Sequence, residues 1–149
     1  MAKTSADEVR DVVQKFWGFF IGKSKSQFEE MYSPSATVFA ADARRGESAR
    51  LMLVRRTREL LGTASAVGAK LDTIDVQILR EDLAVASYAF HFNVTRNLPN
   101  GKRVSVDVPF GRATQVFQRD AHGNLRIIHE HMSSAAAVSP KELPAAGRE

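Results

Sequence analysis

Arg112-Ala-Thr-Gln-Val-Phe-Gln-Arg-Asp-Ala-His-Gly-Asn-Leu-Arg-Ile-Ile-His-Glu-His-Met-Ser-Ser134 is the stretch whose reading decides the fold. Two β-type runs flank the polar cluster Asp120, His122, Gly123 and Asn124, so the segment reads as strand, turn, strand. It also holds three of the four histidines of the chain. With a side-chain period of two, His129, His131 and Ser133 share one face of the second strand, and Ile128, Glu130 and Met132 share the other. One face is expected to point into the protein and the other away from it.

Working upstream, strand patterns cover 70–79, 83–95 and 103–118 before the closing run 125–133. Their connectors are Arg80-Glu81-Asp82, then Asn97-Leu98-Pro99-Asn100-Gly101. A bulge is expected near Pro109 and Gly111, where a long twisted strand must bend. The N-terminal part has helical periodicity instead. Val9, Val12, Val13, Phe16, Trp17 and Phe20 recur at spacings of three and four over 7–21, with Ser5 as N-cap and Gly22 as the stop. A short helix over 25–31 carries Phe28 and Met31 inward, and an extended run follows over 36–40. Gly46 and Ser48 introduce a third helix running to Leu61. Three helices followed by an antiparallel meander give an α+β fold: a curved sheet packed against the helices as a cone with an interior cavity.

A chain of 149 residues is one domain by size, expected over 5–134, with 135–149 as a flexible Ala, Pro and Ser tail. The lack of cysteine excludes disulfides and thiolate ligands, which suits a cytoplasmic protein. No apolar run is long enough to span a bilayer, so no membrane partner is expected. The net charge of +4 is spread among 17 carboxylates, and no nucleic-acid motif accompanies the Arg50, Arg55, Arg56, Arg58 cluster. There is no Gly-rich phosphate loop and no nucleophile elbow, and no cofactor is expected.

Two motifs resemble the nuclear transport factor 2-like superfamily, in its SnoaL-like and calcium/calmodulin-dependent kinase II association-domain branches. They are Met31-x-x-Pro34-x-x-Thr37-x-Phe39-x-x-x-Ala43, and the Thr114-x-Val116 strand followed by a Gly turn and His129-x-His131-x-Ser133. The resemblance implies a cone that encloses a ligand, but this fold hosts many chemistries. In the register of ketosteroid isomerases, Phe16 stands where the oxyanion-binding tyrosine would be and Ala40 where the aspartate base would be. Neither can perform that chemistry. In the register of the association domain, Ala89, Gln115 and Met132 replace arginines that line its cavity.

The resemblance also divides the faces. It turns the polar set Arg112, Thr114, His129, His131 and Ser133 outward as a cross-strand ladder, with Arg112 opposite His131 and Thr114 opposite His129. A metal site built on these histidines lacks a third ligand, and none is expected. It turns Gln115, Phe117, Ile128, Glu130 and Met132 inward. On the preceding strand it places Ala89, His91 and Asn93 on the cavity side, leaving Tyr88, Phe90 and Phe92 for a homodimer contact through the outer sheet face. The strand's own composition fits the reverse equally well, with the aromatics as core and His91 at the surface. Trp17 and Tyr32 are expected to line the inner wall. A carboxylate on that wall makes Glu130 a candidate acid or base, with His91 as the other candidate. The alternative for Glu130 is a rim carboxylate bonded to Arg112, Arg126 or water.

The resulting expectation is a homodimeric protein that binds a small apolar or amphipathic molecule. The alternatives are a cofactor-free isomerase, dehydratase or cyclase that uses Glu130 or His91, and a noncatalytic oligomerisation module.

Overall fold

A computed structural model describes residues 3–40, 64–134 and 141–143. Helix α1 spans Ala6–Ile21, and the Ser5 side chain accepts from the Glu8 N–H at its start. Its inward stripe, Val9, Val13, Phe16, Trp17 and Phe20, is the one the spacing predicts except for Val12, which is only partly buried against the core. The helix ends differently from expectation. Gly22 keeps a helical conformation, and the left-handed residue is Lys23, at φ +57°. The Ser24 N–H returns to the Phe19 carbonyl and the Lys23 N–H to that of Phe20, which satisfies carbonyls the helix would leave open. Helix α2 follows at Lys25–Glu30. The expected third helix, 46–61, lies outside the described residues.

Among the described residues, seven strands form one curved, unclosed mixed sheet: β1 Tyr32–Ala40, β2 Ala64–Leu71, β3 Asp75–Arg80, β4 Leu83–Asn97, β5 Arg103–Arg119, β6 Leu125–Ser134 and β7 Lys141–Leu143. The order is β1-β6-β5-β4-β2, with β3 also on β4 and β7 on β5. This is an α+β fold, with two departures from a plain meander. Strand β1 lies parallel to β6, and the run expected as one strand over 70–79 divides into β2 and β3, both antiparallel to β4. The division falls where Ile74 breaks the alternation and turns into the core at 7% exposure, with its carbonyl accepting from Arg10 Nε. Of the expected tail, 141–143 pair with β5 and the remainder lies outside the described residues.

Two bulges set which side chains face inward. Phe90 pairs with Gly111 and Phe92 with Val108, so Pro109 and Phe110 are opposed by His91 alone and Phe110 is pushed into solvent. The ring of Phe90 lies on Gly111 so closely that a Cβ there would fall 2.3 Å from it. Only glycine leaves that space. Further along, Val116 pairs with His129 and Phe117 with Ile127, which leaves Ile128 as the extra residue. Among the described residues, no helix is long and apolar enough to cross a membrane.

The concave face packs on α1 and α2 through Phe16, Trp17, Phe20, Phe28, Tyr88 and Phe90. Phe16 meets Trp17, Phe28 and Tyr32 at centroid distances of 5.6, 4.7 and 5.8 Å. Each such ring contributes about 1.5–3 kcal/mol by burial. Arg119, at the end of β5, clamps the N-terminus onto the sheet. Its guanidinium makes a two-pronged bond to Glu8, at 2.6 and 3.1 Å, and also donates to Thr4 and to the Gly123 carbonyl.

Candidate functional site

The polar groups buried on the concave face form one hydrogen-bonded row. Its order follows the order of the strands. Tyr32 of β1 donates its hydroxyl to Glu130 Oε2 of β6 at 2.7 Å. Gln115 of β5, directly opposite Glu130 in the ladder, donates Nε2 to the same oxygen at 2.9 Å. Tyr88 of β4 donates to Gln115 Oε1 at 2.7 Å, and Trp17 of α1 donates its indole N–H to Tyr88 at 2.9 Å. Glu130 and Gln115 are both 0% exposed and Tyr32 is 2% exposed. Burial pushes the Tyr88 phenol well above its ordinary range, the Trp17 bond opposes this, and the nearby Glu130 charge adds to it. The phenol therefore keeps its proton, and it acts as a donor.

The sequence-derived residues distribute as follows. Trp17, Tyr32, Gln115, Phe117 and Glu130 all lie on the concave side, Phe117 at 0% exposure; Met132 is half-buried against the core. Ile128 does not join them, because the bulge gives the buried position to Ile127. The expectation for β4 is reversed. Tyr88 and Phe90 are buried on α1, Phe92 packs beside them, and Ala89, His91 and Asn93 occupy the convex face. His91 Nε2 lies 2.9 Å from Asp107 Oδ1, and both are partly exposed there. His91 and Glu130 are thus on opposite sides of the sheet and cannot act on one substrate.

The set Arg112, Thr114, His129, His131 and Ser133 is on the convex side, but the partners differ from those expected. Arg112 faces Ser133 and Thr114 faces His131. One residue of this offset comes from the turn, where Asp120 and Asn124 close the loop, and one from the bulge at Ile128. In that turn Asp120 Oδ1 accepts from the His122 and Asn124 N–H groups, and Gly123 takes φ +83°. These bonds, together with Arg126, hold the Asp120 carboxyl below its usual value. His129 Nδ1 lies 2.7 Å from the Thr37 hydroxyl, and the His131 ring packs on Phe39 at 5.4 Å. Among the described residues, no group of three or more His, Asp or Glu is placed to hold a metal ion.

An open cleft of about 450 Å³ lies where β1 bulges away from β6 between Tyr32 and Thr37. Tyr32, Ser33, Pro34, Gln118, Arg126 and Ile128 are among its walls. Of the residues expected to line a cavity, Tyr32 and Ile128 are in it. Arg126 is fixed there by Asp120 at 3.3 Å and by the Glu30 carbonyl. Tyr32 therefore belongs both to the cleft and, through its hydroxyl, to the buried row.

Sequence reasoning missed Tyr88 as a member of this row. The signal available was the contrast between the two faces of β4. Ala84, Ala86, Tyr88, Phe90 and Val94 are together far more apolar than Ser87, Ala89, His91 and Asn93, and burial follows that contrast.

No family model matches the sequence, and no curated protein matches it either. Solved structures do. A nuclear transport factor 2 (NTF2-like) superfamily protein from Salmonella enterica superposes with TM-score 0.68 at 19% identity, covering 88% of this chain and 91% of that one. A candidate calcium/calmodulin-dependent protein kinase II association domain from Xanthomonas campestris gives 0.67 at 19%, over 90% and 94%. A candidate scytalone dehydratase from Novosphingobium aromaticivorans gives 0.70 at 10%, over 95% and 92%. At these identities the likeness is one of fold, and the chain has the cystatin-like α+β fold of the NTF2-like proteins.

Proposed function

We propose that the protein binds a small, mostly apolar molecule at the cleft beside β1, with Glu130 as the buried polar anchor and Tyr32 as the group between cleft and core. The observation that carries this reading is the double membership of Tyr32, which walls the cleft and bonds Glu130 Oε2 at 2.7 Å. Burying a carboxylate costs several kcal/mol, and a well-packed apolar residue commonly serves stability as well or better. An acid placed in this aromatic core therefore favours a role in recognition. The cleft volume falls in the range of small-molecule sites. Pro34 and Ile128 offer apolar area at its walls, and Arg126 and Ser33 offer polar contacts.

The chemistry within reach is hydrogen bonding and proton transfer. Toward a substrate with an acidic proton, Glu130 is the base and the Tyr32 hydroxyl, which donates to Oε2, holds that carboxylate in place. His91 takes no part, since it lies across the sheet. The isomerase arrangement is not reproduced, because Phe16 offers only a ring in the core. Homodimerisation through the convex face loses Tyr88, Phe90 and Phe92 as its apolar surface, and rests on the exposed Phe39 beside His131. Sedimentation of the wild type against Phe39→Ser tests that part, and a monomer at micromolar concentration removes it.

The binding reading is tested with a library of small phenols, amides and amines, screened by thermal shift and by emission of Trp17, the single tryptophan. Binders are expected for the wild type, with affinity lost in Glu130→Leu. Equal binding to that variant, or no binder tighter than about 1 mM, the equivalent of only ~4 kcal/mol, overturns the proposal.

A further inference from the structure

Two arginines stand in the wall of the cleft, and their hydrogen bonds leave them unequal. Arg119 spends both Nη groups on Glu8, Thr4 and the Gly123 carbonyl. Its Nε has no partner, but that atom is buried and the side chain is only 5% exposed, so a ligand in the cleft does not reach it. Arg126 is different. Its Nε donates to Asp120 Oδ2 at 3.3 Å and its Nη1 to the Glu30 carbonyl, which fixes the guanidinium plane at two points. Nη2 has no partner among the described residues, and 29% of the side chain is exposed. A guanidinium nitrogen only donates, so this pre-oriented group offers its N–H bonds to whatever enters.

The charges around Arg126 restrict what can accept from it. Bonds from the Asn124 and His122 N–H groups and from Arg126 hold the Asp120 carboxyl below its ordinary value, so it is ionised at neutral pH. Asp120 balances Arg126, as Glu8 balances Arg119. Glu30 then adds an exposed carboxylate to the wall, with no ion pair among the described residues. A ligand carboxylate on Nη2 would approach a cation whose charge is already matched and would be repelled by Asp120 and Glu30. A carbonyl oxygen takes the same N–H bonds without that repulsion. A ligand ammonium would find only Glu30 free, in solvent, where an ion pair contributes little.

We infer that the cleft selects neutral ligands that accept through a carbonyl oxygen, such as aryl ketones, esters or amides, with Arg126 Nη2 as the specificity-determining donor. This rests on the cleft being the ligand site and makes no use of Glu130. Pro34 and the bulged Ile128 receive the apolar part of the ligand.

Acetophenone, benzoate and benzylamine share one ring and differ in charge and in the acceptor. Each is titrated at neutral pH into the full 15N-labelled chain, with the backbone amides of Ser33, Gln118 and Ile128 locating the site by NMR. Acetophenone is expected to bind about tenfold more tightly than either charged probe, equivalent to ~1.4 kcal/mol. Arg126→Met, which keeps the length of the stem and removes the donor, is expected to abolish that advantage. Asp120→Asn keeps Oδ1 as acceptor for the turn and removes the balancing charge, so the affinity of benzoate relative to acetophenone is expected to rise about tenfold. No preference in the wild type, a preference for benzoate or benzylamine, or an acetophenone preference that survives Arg126→Met overturns the inference. Should Arg126→Met fail to fold, the Asp120→Asn ratio decides, and an unchanged ratio counts against the inference.

Failure of the binding reading looks different. If none of the three probes shifts the cleft amides, the cleft as ligand site and the selectivity drawn from it fall together. If acetophenone binds Glu130→Leu as tightly as the wild type but loses affinity in Arg126→Met, Glu130 is not the anchor and the role of Arg126 stands.

Discussion

Replacing Tyr32 with phenylalanine removes one oxygen atom from the middle of the molecule and leaves the ring contacts with Phe16 and Phe28 in place. The lost bond runs to a carboxylate at 2.7 Å, with both partners at or near zero exposure. Hydrogen bonds to charged groups contribute about 1.5–3 kcal/mol. For a chain of this length, each kcal/mol moves the melting temperature by roughly 2–4 °C. Tyr32→Phe should therefore lower it by about 3–12 °C by calorimetry, with a matching fall in the urea midpoint and an unchanged urea slope. The same change in a Glu130→Leu background should cost less. There the Tyr32 hydroxyl has already lost this acceptor, so its removal no longer breaks the bond to the carboxylate. The coupling energy of the cycle should therefore be about 1.5–3 kcal/mol. Equal costs in the two backgrounds, within about 0.5 kcal/mol, would refute the assignment of this bond.

Three further outcomes are expected. Gly111→Ala should destabilise by about 1–3 kcal/mol, because the Phe90 ring must move out of a packed core; Trp17, whose ring centroid is 4.8 Å from that of Phe90, should report the shift in its emission. His91→Ala should change stability by no more than ~0.5 kcal/mol and leave phenol binding intact, since the His91–Asp107 pair is partly exposed on the convex face. The side-chain bonds and charge of Arg119 hold the Glu8 carboxyl below its ordinary value against the opposing effect of burial. A depressed folded-state value means this stabilisation is full above the unfolded glutamate value, near ~4.3, and is lost as pH falls through the lower folded one. Urea titrations at stepped acidic pH should show that loss, and Glu8→Gln should remove its part of the slope. Solvent at the half-buried Glu8 limits the effect to about 1 kcal/mol.

The elements that local chemistry dictates were legible in the sequence. The 3.6-residue apolar stripe of α1 and its Ser5 cap specify the helix without tertiary help, and Asp120, Gly123 and Asn124 specify the closing turn. Glu130 and Gln115 were placed inward because alternation holds within one strand. Register across strands was less accessible. It depends on two bulges, each of one residue, and a single residue reverses a face. The bulge at Ile128 exchanged Ile127 for Ile128 in the core and shifted the partners of Arg112 and Thr114. For β4, similarity to other cavities argued for the small-residue face, whereas the energetic weight of Tyr88 and Phe90 turned the strand the other way. The parallel pairing of β1 with β6 has no local signature, since it joins segments about ninety positions apart.

The most direct test of the account is a phenol titration of 15N-labelled wild-type protein followed by NMR. It predicts saturable shifts at the cleft residues Ser33, Gln118 and Ile128 together with the Gln115 side-chain amide, and their loss in Glu130→Leu. Saturation confined to the convex surface around His91 and Phe110, or shifts of equal size in Glu130→Leu, would contradict it.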